Sequence, residues 1–316
     1  MNEATNTVFE KYQVRKSKKQ KSAFIEYVKE RGAECGYCVS VEQGSFGARN
    51  IVVGNPECAK VVYTAHYDTC AAMFFPNFLT PKSFSIYFLY QIVLTLGLVA
   101  IWAVLAFSLG FGLGMLTLWL FEDSEPGIEI GILISELVWV VFLFMMFFGP
   151  ANKHTANDNT SGVVTLLEIM SKIPEEERDG AAFIFFDLEE LGLIGSSAYR
   201  SKHKKETADK LIINFDCVSD GENFIFALRR GAKKHKEIIE AAYAANDNVK
   251  VEVLSRGVFY PSDQMAFPAG VGVAAFRSTK RGLLYVNRIH TPRDTVWREE
   301  NIDFLVDSSV KLVSML

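Results

Sequence analysis

Five segments of the chain set histidine or carboxylate side chains at the end of an apolar run or in the loop just after one. In VVYTAHYDT the run Val61 to Ala65 leads to His66, with Asp68 two residues on. The period of two along a strand lets the Asp68 carboxylate lie on the same side as His66 and hold its ring N–H. Taken alone, such a pair is more often a satisfied structural contact. ANDNTSGVVTLLEIM puts Asp158 before a Ser/Gly turn and an amphipathic helix. A carboxylate there either bridges cations or belongs to an ordinary helix cap formed by Asn159, Thr160 or Ser161. AAFIFFDLEELGLIGSSAY runs a buried-looking strand into Glu189 and Glu190. Their side chains point in different directions, so one can bind a metal while its neighbour handles protons, and a solvated acidic turn is the plainer alternative. KLIINFDCVSDG ends a strand at Asp216, and NRIHTPRDTVW carries His290 before a proline turn with Asp294 four residues later. Together His66, Asp158, Glu190, Asp216 and His290 supply two imidazoles and three carboxylates. That is an N/O donor set suited to a pair of zinc ions sharing one carboxylate and one water.

Elements that deliver these residues can be read from the pattern. Short β-branched or aromatic runs (51–53, 61–64, 183–186, 211–215 and 251–254) alternate with helix-like stretches (22–31, 162–172, 233–245 and 301–316). Strands interleaved with helices predict an α/β fold with a largely parallel central sheet flanked by helices. Sites in such sheets form at the carboxyl ends of the strands, where the five segments stand. With 33 Lys+Arg against 37 Asp+Glu the net charge is -4, which argues against a nucleic-acid protein with a broad basic face. Five cysteines at irregular spacing, and a polar start without the apolar core of a secretory signal, suggest a reducing, non-secreted setting. The pair Cys35 and Cys38 reads as ordinary thiols. KYQVRKSKKQK, six basic residues in eleven, reads as a solvated helix face, with contact to a membrane surface as the functional alternative.

The 49% hydrophobic content is concentrated in one block. Ser83 to Phe121 contains no Asp, Glu, Lys or Arg, and a helix of that length would measure about 58 Å against a hydrocarbon core of about 30 Å. It is expected to bend, break or protrude, with Gly110, Gly112 and Gly114 as the break or close-packing point. After EDSEPGIE a second run, Ile130 to Gly149, carries the single charge Glu136, which is expected near an interface or facing a helix partner. Two crossings, about 86–108 and 130–149, form an inserted transmembrane region, 77–149, between the parts of the catalytic domain, 1–76 and 150–316. A buried helical hairpin, an apolar lid or a dimer arm is the alternative.

In order, HYD, NDNTSG, EELGLIGS, NFD and IHTPRDT resemble the five motifs of the double-zinc aminopeptidase family, the clan MH zinc exopeptidases. The match covers roughly residues 50–70 and 150–310. The resemblance implies the zinc-exopeptidase fold, a central mixed sheet of about eight strands. It implies that His66 and Asp216 bind one zinc, Glu190 and His290 the other, and that Asp158 bridges them. It makes Glu189 the general base and Asp68 the carboxylate behind His66, and it implies a cis peptide at Asp158–Asn159. PSDQMAF resembles the family's Ser-Asp-His-x-x-Phe segment with Gln264 in place of the histidine. The expected activity is a zinc-dependent metallo-aminopeptidase, an exopeptidase hydrolysing N-terminal peptide bonds of short peptides with two Zn2+. A glutaminyl-cyclase-like mono-zinc acyltransferase, a carboxypeptidase of the same family, or a binding protein that has lost its metals are the rivals. Because His66 and Asp158 must reach the same site across the apolar block, the chain must cross the bilayer an even number of times. Lys82, Lys153 and the basic N-terminal stretch lie on the site side, and the loop between the runs is acidic. An integral membrane protein with its catalytic domain on the cytoplasmic side is therefore expected, with peptide substrate and lipid bilayer as partners.

Overall fold

The computed structural model describes residues 3–316 and divides the chain into two units, 1–83 with 151–316, and 84–150. In the first unit the elements run α1 (Glu3–Lys11), α2 (Lys18–Glu34), β1 (Val39–Gln43), β2 (Arg49–Val53) and β3 (Val61–His66). The second unit holds α3 (Phe84–Phe121) and α4 (Glu125–Phe148). The first then resumes with α5 (Gly162–Lys172), β4 (Ala181–Phe186), α6 (Ile194–Lys202), β5 (Leu211–Phe215), β6 (Asn223–Leu228), α7 (Lys236–Ala242), β7 (Lys250–Leu254), β8 (Gly270–Ser278), β9 (Leu284–Tyr285) and α8 (Glu299–Met315).

Among the described residues nine strands form one sheet in the order β1-β2-β4-β3-β5-β8-β6-β7, with β9 on β8. The middle, β4-β3-β5-β8, is parallel, and the pairs β1/β2, β2/β4 and β6/β8 are antiparallel. β3, β4 and β5 are buried along their whole length, which is why they read as unbroken apolar runs instead of alternating ones. Their parallel register brings His66 level with Phe186, so the residues that follow β3 and β4 leave the sheet side by side. β1, β6, β8 and β9 were not among the expected strands. The helix expected over 233–245 is a shorter one, 236–242, after a 3-10 turn at Arg230–His235.

The second unit is an antiparallel pair closed by the three residues 122–124. α3 runs unbroken through Gly110, Gly112 and Gly114, about 57 Å for its 38 residues, so the expected break does not occur. Gly110 and Gly114 are buried and serve close packing instead. A Cβ on Gly131 would come within 2.6 Å of Gly110 Cα, and one on Gly127 would overlap the Leu113 carbonyl. Small residues at these positions let the two backbones touch. Outward faces carry exposed Val, Leu, Ile and Phe, among them Phe107, Leu133 and Val140. Glu136 is exposed on that outer surface and does not face α3 as one of the two expectations had it. Both helices are long and apolar enough to cross a membrane.

Replacing Gly131 by Leu should force the helices apart and lower the thermal midpoint of the detergent-solubilised protein by circular dichroism. Gly112→Leu, whose added Cβ meets nothing within 4 Å, should leave that midpoint in place. Equal effects would refute close packing as the role of Gly131.

A candidate metal centre at the carboxyl ends of the sheet

β3 ends at His66, β4 leads through Asp187 and Leu188 to Glu189 and Glu190, and β5 is followed by Asp216. Asp158 enters just before α5, across a cis Asp158–Asn159 peptide, and His290 comes from the segment after β9 at φ 62. These five expected donors converge. His66 Nε2 lies 3.2 Å from Asp158 Oδ1 and 3.7 Å from Asp216 Oδ1. His290 Nε2 lies 3.0 Å from Asp158 Oδ2 and 3.1 Å from Glu190 Oε2. The two oxygens of Asp158 thus face two different imidazoles. Donor atoms of His66, Asp158 and Asp216 fall within 4.8 Å of one another, and so do those of His66, Glu189 and Glu190.

The electrostatics of this cluster ask for positive charge. Burial lifts the Glu189 carboxyl well above the usual range, and although His66 pulls it down, Asp216, Glu190 and Asp263 add to the lift. Glu190 is likewise raised by burial. Burial opposes a charged His66, yet Glu189 and the carboxylates hydrogen-bonded to it raise its pKa well above 6.5, and His290 behaves in the same way beside Glu190. Burial works against the Asp158 carboxylate too, but its bonds to His290 and His66 hold it low. Glu190 Oε1, Asp216 Oδ1 and His290 Nδ1 are buried without a hydrogen-bond partner. Buried acceptors are ordinarily satisfied. Unsatisfied carboxylate oxygens and imidazole nitrogens crowded in one pocket fit a divalent cation, and their N/O character fits zinc.

A second layer holds the donors. The Asp68 carboxylate accepts the backbone N–H of Glu189 at 3.0 Å and of Glu190 at 3.3 Å, while His66 Nδ1 is closer to the Asp68 carbonyl, 3.2 Å, than to its carboxylate, 3.6 Å. Asp68 therefore ties the β4 loop to His66 more than it clamps the ring. Asp294 accepts the N–H of Asn157 and of Asp158, at 2.8 and 2.9 Å, and burial pushes its own pKa up to about 8. Asn157 Oδ1 takes the N–H groups of Ser219 and Asp220, and Asn159 Nδ2 donates to the Phe215 carbonyl, so the residues flanking Asp158 bind it to the end of β5. Gly162 must be glycine because a Cβ would overlap the Phe215 carbonyl. Gln264 is buried and donates to the Tyr260 carbonyl at 2.7 Å. Asp263 beside it is also buried, and its carboxyl is raised by burial to about 7.

The basic N-terminal stretch is not simply a solvated face. Arg15 is fully buried: Nε donates to the Tyr67 carbonyl at 2.5 Å, Nη1 to Thr160 Oγ1 at 3.3 Å and to Tyr12 O at 2.6 Å. Its backbone N–H donates to Thr69 Oγ1 at 3.1 Å. The guanidinium thus stitches the loop after His66 to the loop after Asp158. Burial lowers its pKa to about 10, opposed by Asp68 and Asp158. Lys21 is paired with Asp187, whose other oxygen accepts the Arg49 N–H. Arg15, Asp294 and Asp263 had no assigned role in the sequence reading. The one hint for Asp294 was its place in the proline turn after His290.

A sequence model of peptidase family M28 matches residues 144–305, half of the chain, a span that contains Asp158, Glu189, Glu190, Asp216 and His290 but not His66. No curated protein matches the sequence. Among solved structures, the Zn-dependent exopeptidase from Parabacteroides distasonis superposes with a TM-score of 0.55 at 16% identity, over 98% of this chain and 94% of that one. The glutaminyl cyclase of Porphyromonas gingivalis gives 0.56 at 15%, over 98% of each chain. The LapA aminopeptidase of Legionella pneumophila gives 0.55 at 12%, over 98% of this chain and 67% of that one. At these identities the likeness is one of fold.

Substituting Arg15 by Met leaves the Tyr67 carbonyl and Thr160 hydroxyl short of a donor beside two carboxylates. A loss of about 3 kcal/mol in denaturant-measured stability is expected. A loss below the noise of that measurement would show that the buried guanidinium is dispensable.

Proposed function

This chain belongs to peptidase family M28 and is a zinc-dependent hydrolase, and from that premise we propose a membrane-anchored exopeptidase that uses two zinc ions to remove N-terminal residues from short peptides. The observation that carries the two-ion reading is the disposition of Asp158, one oxygen toward His66 and the other toward His290. His66 and Asp216 would hold one ion, Glu190 and His290 the other, and Asp158 both. Zinc held by these residues would activate a water for attack and polarise the scissile carbonyl. Glu189, beside His66 and Glu190 but outside this ligand set, takes the proton of the attacking water and passes it to the departing amine. Asp68 keeps that carboxylate in place through the Glu189 N–H. Support for action at the N-terminus comes from the motif resemblance, and an aminopeptidase is among the structural neighbours.

The membrane reading rests on α3 and α4. Their outer faces are apolar and exposed, and both ends of the pair return to the catalytic unit at 83 and 151. Two crossings therefore suffice. The turn between them and the start of α4 carry Glu122, Asp123, Glu125 and Glu129, whereas Lys82 and Lys153 flank the catalytic side, a bias that favours the cytoplasm for that side.

Glu189→Gln is expected to keep about two zinc ions per chain by elemental analysis and to lose roughly a hundred- to ten-thousand-fold in kcat on aminoacyl peptides. Near-normal turnover would remove Glu189 from its role. A zinc content near one, with activity confined to N-blocked peptides, would overturn the aminopeptidase. Labelling with a membrane-impermeant thiol reagent should reach Glu125→Cys and Lys280→Cys from opposite sides of sealed vesicles. Labelling of both from one side sinks the hairpin topology.

A further inference from the structure

Cys70 stands two residues beyond Asp68 and is 3% exposed. Its sulfur, a Glu190 carboxylate oxygen and a His290 ring nitrogen lie within 4.8 Å of one another. Of these two partners, Glu190 Oε1, on a side chain 8% exposed, has no hydrogen-bond partner, and neither has His290 Nδ1. The backbone around the thiol is fixed from two sides. Asn152 N donates to the Cys70 carbonyl at 3.1 Å, and Met73 N donates to the His290 carbonyl at 2.8 Å, so the sulfur and the imidazole are carried on joined segments. A thiol, a carboxylate and an imidazole around one point make a donor set of the kind zinc accepts, and the soft sulfur favours zinc over manganese or magnesium.

We propose that Cys70 is a thiolate ligand of the metal ion held by Glu190, His290 and Asp158. The inference rests on the two-metal reading above and adds a donor to it. On loading, the S–H proton leaves to water and a sulfur–metal bond takes its place, with no change of oxidation state. The two positions then differ in kind. His66, Asp158 and Asp216 would offer one ion three protein donors, whereas Cys70, Glu190, His290 and Asp158 would offer the other four. That second ion is the more zinc-selective of the pair and the slower to be stripped by a chelator.

Cobalt(II) substitution reads the sulfur directly. The metal-free full-length protein in detergent, given two equivalents of cobalt(II), should develop visible d–d bands together with a near-ultraviolet sulfur-to-cobalt charge-transfer band. Cys70→Ser should lose the near-ultraviolet band and keep the visible ones, while the Cys35→Ser, Cys38→Ser double variant keeps both. Competition with a chromophoric chelator should show one of the two zinc ions weakened roughly 100-fold in Cys70→Ser. Visible bands without charge transfer in the unsubstituted protein would overturn the proposal and leave the two-metal reading standing, as would a charge-transfer band that survives Cys70→Ser. Absence of any cobalt bands would remove both.

Discussion

A concentration of negative charge governs this structure. Asp158, Glu189, Glu190, Asp216 and Asp263 are gathered with two imidazoles in a largely buried pocket, where burial and the neighbouring carboxylates oppose the ionisation of Glu189 and Asp263. Such a group persists only if its charge is answered locally. The backbone amides beside it are taken by two further carboxylates, Asp68 accepting the Glu189 and Glu190 N–H groups and Asp294 those of Asn157 and Asp158. Arg15, between the loops after His66 and Asp158, supplies a fixed cation. The metal that the family uses completes the account. The parallel register of β3 against β4 and β5 follows from the same requirement, because it brings the loops bearing the donors to one edge of the sheet.

Much of the centre was legible because polar residues interrupting apolar runs are a local signal. His66, Glu190 and Asp216 each sit at or just past the end of a strand buried along its whole length, and a single sequence exposes that contrast. Asp158 and His290 lie in loops, marked only by a Ser/Gly turn after one and a proline turn after the other, and the motif resemblance gave them their roles. What was not legible depends on distant partners. Arg15 lies in a run of basic residues that has the composition of a solvent-facing helix, and only the fold brings the Tyr67 carbonyl and Thr160 to it. Cys70 looked like one of five scattered thiols until folding set it beside Glu190 and His290. β8 was missed because its GVGVAA run is rich in glycine and alanine, and Gly270 and Gly272 are required there by the close approach of Gln264.

The apolar pair shows the same division between composition and contact. Its length and lack of charge were plain in the sequence, and so was the clustering of small residues. Whether glycine would break α3 or admit a neighbour could not be settled from one strand of text, since both uses call for the same residue. The answer lies in Gly127 and Gly131 on α4, whose backbone meets α3 around Gly110 and Leu113. Packing between glycines then leaves bulky side chains pointing outward, which is the arrangement a lipid-facing pair needs.

The order of the donors along the chain has a bearing on biosynthesis. His66 leaves the ribosome before α3 and α4, and Asp158, Glu190, Asp216 and His290 leave after them. No partial product ending within the hairpin holds more than one of the five. Metal binding at these donors is therefore a late event in the life of a nascent chain, and an enzyme assembled this way stays inert until its greasiest segment has been made.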